Sequence, residues 1–169
     1  MKRNYTFVVL TIVALLAFCG WGIARTIKAI SFDQSCGQYL KRAADANSIE
    51  MAKEELGIAI SYAESHGLTE GTVSIFLHQP KNDVGYWYRN MKEAYKELEK
   101  VPEDTSRMEK TNILMKLRET LTDEGESGVE VTIPNGISIY PSNVSYFWWS
   151  IVSFIALCIF GVLWLADEY

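Results

Sequence analysis

The chain has 169 residues, a hydrophobic fraction of 49%, a charged fraction of 22% and a formal net charge of -5. That length allows one compact domain. The acidic balance excludes nucleic acid and anionic headgroups as partners of the polar surface, because phosphate would be repelled. A mean hydropathy near zero conceals two apolar ends around a polar middle, and Trp21, Trp148, Trp149 and Trp164 all lie in or beside those ends.

Residues 5–24 read YTFVVLTIVALLAFCGWGIA without a charge. At 1.5 Å rise per residue, a run of about 20 residues matches a hydrocarbon core of roughly 30 Å. Lys2 and Arg3 precede it as the basic region of a signal peptide would, but the run is longer than such a peptide's apolar region and no A-x-A site follows. It is read as an uncleaved transmembrane helix behind a short cytoplasmic segment, residues 1–4. Gly20 and Ala24 form a small-xxx-small pattern that lets a second helix approach, either the later span of the same chain or another copy.

Residues 25–145 form the extramembrane helical domain. No proline or turn cluster follows the first span, so its helix is expected to continue to about Ala46. Cys36 is the lone cysteine of this region, either a packed thiol or the site of a disulfide between two copies. Asn47, three residues before Glu50, is the expected cap of a new helix with an apolar stripe at Ile49, Ala52, Leu56, Ala59 and Ala63, and Gly67 is its stop. Val73, Ile75 and Leu77 then alternate in a short extended stretch or hydrophobic loop that ends in the Pro80–Asp83 turn.

Asp83 caps the most strongly periodic helix, with Val84, Trp87, Met91, Ala94, Leu98 and Val101 on one face until Pro102. Ser106-x-x-Glu109 restarts a helix with Met108, Leu114, Leu117 and Leu121 on its apolar face, expected to run toward Gly125. Period two then replaces the helical period, and a small β-hairpin is expected over about 129–140 around Pro134-Asn135-Gly136, with Ile137 and Ile139 on its second strand. Residues 146–165 are the second transmembrane helix, with aromatic residues crowded at its start and Trp164 near its end; residues 166–169 are a short tail.

The fold class that follows is mainly α: two transmembrane helices flanking an antiparallel helical bundle, with a small β-hairpin before the second span. In architecture, though not in any motif, this resembles the input half of bacterial membrane receptors. Lys2 and Arg3 before the first span outweigh Arg25 and Lys28, which Asp33 partly offsets, so both termini are expected in the cytoplasm and the domain in the periplasm or cell exterior.

Site chemistry is sparse. His66 and His78 lack zinc-ligand spacing, and no phosphate-binding glycine loop is present, so neither a metal, a cofactor nor an enzymatic activity is expected. The run Tyr86-Trp87-Tyr88-Arg89 cannot bury all three rings on one helical face. Tyr86, Tyr88 and Arg89 therefore either form an interaction patch or pack on the 73–78 stretch. The expected function is a non-enzymatic membrane protein, a small subunit, assembly factor or adaptor. Its partners are the lipid bilayer and another membrane protein or a second copy, not nucleic acid. The alternative is a receptor-like module that senses a ligand and signals through a partner in trans.

Overall fold

The computed structural model describes residues 5–125 and 128–168. Helix α1 (Tyr5–Phe32), a π turn at Asp33–Gly37 and helix α2 (Gln38–Ala44) run together as one helix of 40 residues. The continuation expected from the sequence is therefore present, and it stops at Ala44, two residues earlier than predicted. The π turn adds a residue to the helix and turns Cys36 and Gly37 inward. A Cβ on Gly37 would stand 2.9 Å from Asp33 Oδ1 and 3.7 Å from Ile133 Cδ1, so the missing side chain lets a later segment lie against the turn.

Helix α6 (Asn143–Glu168) returns alongside α1. Trp149 Nε1 donates to the Ala17 carbonyl at 3.1 Å, and the Phe18 and Phe154 rings stand 5.9 Å apart. Both helices are long and apolar enough to cross a membrane. Only 6% of each apolar window is buried, whereas the core helix of a soluble domain would be mostly covered.

Between these two helices lie α3 (Ile49–Ser65), α4 (Val84–Glu99) and α5 (Arg107–Leu121). The α3 stripe of Ile49, Ala52, Leu56, Ala59 and Ala63 is buried as expected and faces Cys36, Leu40 and Ala43 of the first helix. Small residues at Ala43, Ala52 and Ala59 allow the close approach. The cap of α3 is Ser48 rather than Asn47: its hydroxyl accepts from Met51 N at 3.2 Å, while Asn47 is exposed. Gly67, at φ +68°, closes the helix, with Leu68 N donating to Ala63 O at 2.8 Å and Gly67 N to Glu64 O at 3.2 Å.

In α4, Val84, Trp87, Met91, Ala94 and Leu98 are buried as the periodicity predicts. Ser106 caps α5 by accepting from Glu109 N. Leu117 and Leu121 of α5 reach the core, but Met108 is 77% exposed and does not belong to its inner face.

The hairpin differs from expectation. It is formed by β1 (Thr122–Gly125) and β2 (Gly128–Val131), antiparallel, with Thr122 opposite Val131 and Glu124 opposite Val129. Helix α5 thus ends at Leu121 and passes directly into β1, an all-polar strand whose residues carry no alternating signal. Pro134–Gly136 does form a turn, with Gly136 at φ +84°, but it leads into a 3-10 turn at Ile137–Ile139 instead of a second strand. Core burial decides this: Ile137 is only 2% exposed in the 3-10 turn, while Val129 of the true hairpin is 55% exposed.

Candidate interaction surface

Two hollows of the domain meet at the start of α4. Asp83 Oδ1 accepts from Tyr86 N at 2.8 Å, fixing the first turn of this helix. The three following rings then diverge by the helical angle of about 100° per residue. Trp87 turns inward, its ring centroid 6.5 Å from that of Phe32. Tyr86 turns outward and is 57% exposed. Tyr88 turns toward α3, where its hydroxyl donates to Glu64 Oε1 at 2.6 Å beside Lys92 Nζ, which donates to the same oxygen at 2.9 Å.

These contacts separate the residues that the sequence grouped. Tyr88 belongs to a link between α3 and α4, rather than to the 73–78 stretch or to a free patch. Its partner Glu64 is held below the ordinary carboxyl value of 4.5 by the hydrogen bonds from Tyr88 and Lys92. The same carboxylate raises the Tyr88 phenol above 10.0 and the Lys92 ammonium above 10.5. Arg89 is exposed and borders an open hollow with Glu70, Thr72, His78 and Asp83.

Tyr86 borders a different space, an apolar cleft of about 360 Å³ whose walls include Pro80, Trp87, Met91, Leu121 and Pro134. Lys81, Asn90, Thr120 and Thr132 supply polar atoms on its walls. A cleft of this size and lining, with an exposed tyrosine at its lip, fits an apolar side chain of a partner or a small apolar ligand.

Cys36 is fully buried, with its Sγ 3.8 Å from the Ala59 carbonyl, and burial pushes its thiol up to about 12. It is a packed thiol. A disulfide between two copies requires an accessible sulfur, and this one is enclosed by α3. Gly20 faces α6: a Cβ placed there would lie 3.8 Å from Trp149 Cζ2, so the small residue serves the seam between the two long helices of one chain. Ala24, one turn later, is half-buried.

His66 stacks on Tyr62, centroids 3.9 Å apart, with Nδ1 2.9 Å from the Tyr62 carbonyl, while His78 is exposed in the loop after α3. Among the described residues no group of three His, Cys, Asp or Glu side chains could hold a metal ion.

Two polar arrangements went unanticipated. Glu55, beside Leu56 on the inner face of α3, is 7% exposed and ion-paired with Arg42 of α2. Asn143, at the start of α6, is also buried and donates from Nδ2 to the Val73 carbonyl at 2.6 Å. A polar residue falling on the apolar stripe could have signalled the first; the second joins residues 70 apart and has no local sequence signal. No protein-family model, no curated protein and no solved structure matches the chain.

Proposed function

We propose that the chain is an integral membrane protein that crosses the bilayer twice and acts, without catalysis, by holding another membrane protein against its extracytoplasmic helical domain. Supporting the two spans are the exposure of the apolar windows of α1 and α6 and their mutual packing through Gly20, Trp149 and Ala17. An indole donating to a main-chain carbonyl between two otherwise apolar helices fits a setting without competing water. The continuous helix from Tyr5 to Ala44 would tie the domain stiffly to the first span and confine it near one membrane face.

The observation that carries the interaction reading is the open cleft beside Tyr86. Its walls offer apolar area to a partner's anchor residue, and Tyr86 supplies an aromatic lip at low cost in side-chain entropy. The role would be that of a small subunit, assembly factor or adaptor. Purification in mild detergent from the native membrane is expected to yield a partner in stoichiometric amount, which Tyr86→Ala releases while the melting temperature stays unchanged.

A second reading rests on the cleft's volume of about 360 Å³, within the range of small-ligand sites. On that reading the chain is a sensing module that signals in trans. A partner-free preparation in which a small ligand raises the melting temperature, with the effect abolished by Tyr86→Ala, would favour sensing and count against the adaptor role.

A further inference from the structure

The segment between α3 and α4 carries the domain's most exposed apolar side chains outside the helices. Ile75, Phe76 and Leu77 are 36%, 72% and 77% exposed. They stand at the tip of a loop with a built neck. Val73 N donates to Asn82 O at 3.0 Å, Val84 N to Gly71 O at 2.9 Å, and Asn82 Nδ2 to Ser74 Oγ at 3.0 Å.

The loop is also fastened to the lead-in of α6. Asn143 Nδ2 donates to Val73 O at 2.6 Å, and the Tyr140 hydroxyl donates to Glu70 O at 3.0 Å. Beyond these bonds Phe76 meets Phe147 edge to face, with centroids 5.2 Å apart. Phe147 in turn touches Trp148, and Tyr146 lies against Trp149. The loop tip therefore continues the aromatic cluster that opens the second long helix.

Its depth follows from the register of α1 against α6. Trp149 bonds to Ala17 and faces Gly20. Phe147, two residues toward the domain, is then level with residues 19–22 of α1, about 5–9 Å below Arg25, the first charge after the apolar run. Phe76, its ring centroid 5.2 Å from that of Phe147, lies within about one helical turn of that level.

We propose that the loop tip Ile75–Phe76–Leu77 is a third membrane contact, inserted at the boundary between headgroups and acyl chains of the leaflet on the domain side, next to α6. It rests on the two-span reading. The occupant is lipid because the exposed residues continue an aromatic belt, the kind of cluster that settles at the headgroup level, and because His78 and Lys81 follow where a loop leaving the interface places polar groups. The insertion is apolar, so it needs no anionic lipid and is compatible with the acidic domain. It would act as a wedge that fixes the tilt of the domain and the direction in which the Tyr86 cleft opens.

The test uses the full chain in phosphatidylcholine nanodiscs, one copy per disc, with Cys19 and Cys158 replaced by alanine. An environment-sensitive fluorophore is attached at Leu77→Cys, with Met108→Cys as a domain-surface control and Val152→Cys as a span control. Lipid carrying a nitroxide near the carbonyl end of its chains is expected to quench Leu77→Cys at least about twofold more than Met108→Cys, as insertion near the headgroups requires. Iodide in the buffer should quench the two sites in the opposite order.

Lipid quenching at Val152→Cys but not at Leu77→Cys overturns the wedge and leaves the two spans standing. A Leu77→Cys label shielded from both quenchers also overturns it, since protein then covers the tip. Absence of lipid quenching at Val152→Cys refutes the two-span reading itself.

Discussion

The buried ion pair between α2 and α3 gives a prediction whose sign runs against the usual reading of a salt bridge. The Glu55 side chain is 9% exposed and its Oε2 lacks a hydrogen-bond partner, whereas the Arg42 side chain is 64% exposed. Arg42→Ala leaves a desolvated carboxylate without its counter-ion. Breaking a fully buried pair costs about 3–5 kcal/mol, but here water reaches the arginine end, and the discounted cost is about 1–2 kcal/mol. Glu55→Met keeps the length and removes the charge that had to be desolvated, so its effect is expected near zero or slightly stabilising. Arg42 also sits 5.8 Å over the Tyr39 ring, worth about 0.5 kcal/mol at an exposed site, and that loss remains in the double variant. The combined Arg42→Ala and Glu55→Met protein should therefore regain most but not all of the stability lost in Arg42→Ala. Thermal unfolding in detergent, followed by circular dichroism, reads all four members of the cycle, with a shift of about 4 °C per kcal/mol for a domain of this size. A Glu55→Met variant that melts as low as Arg42→Ala, or lower, would refute the reasoning, because the pair would then be a net source of stability.

Gly71→Ala is expected to destabilise by about 2–3 kcal/mol, from the left-handed backbone and the lost Tyr140 hydrogen bond; Gly71 has φ +87° and a Cβ there would collide with the Tyr140 hydroxyl. Thermal melting reads this, and an unchanged melting temperature contradicts the fastening of the loop. In the seam of α1 and α6, Gly20→Ala should be tolerated because its Cβ would meet Trp149 at 3.8 Å, while Gly20→Leu should cost about 1–3 kcal/mol by overpacking. Equal melting temperatures for the two variants would count against that seam.

The Glu64 link predicts a pH profile. A carboxyl depressed below 4.5 contributes stability above that value and loses it as pH falls through its folded pKa; Tyr88 and Lys92, raised above 10.0 and 10.5, contribute below those values and lose it as pH rises past their folded pKa values. The link is thus fully present between about pH 4.5 and 10, and melting curves of Glu64→Gln should fall less steeply in acid than the parent's; identical acid limbs would argue against it.

The sequence was most legible where periodicity and burial coincide. The inward faces of α3 and α4 follow from residues spaced three and four apart, and the stop at Gly67 from its positive φ. The run from α1 into α2 follows from the absence of any breaking signal. Local reasoning failed where tertiary packing chose between equal patterns. Val129, Val131 and Ile133 alternate as well as Ile137 and Ile139 do, yet the core takes Ile137 through a 3-10 turn, and β2 pairs with the polar Thr122–Gly125. Cys36 could be placed on a helix, but only the approach of Ala59 determines that its sulfur is enclosed. Of the candidate site, Tyr86 stands at a cleft, whereas Tyr88 is drawn away by Glu64, a partner 24 residues earlier. No periodicity forecasts the fastening of the loop by Asn143 and Tyr140.

The central claim is two membrane crossings with the helical domain on the far side from both ends. Single-cysteine labelling with a membrane-impermeant maleimide in intact cells tests it most directly, with Cys19 and Cys158 replaced by alanine and the enclosed Cys36 retained. Lys110→Cys in the domain should label without permeabilisation, and Ala166→Cys at the end of α6 only after it. Labelling of both sites in intact cells, or recovery of the chain in the soluble fraction, would contradict the account.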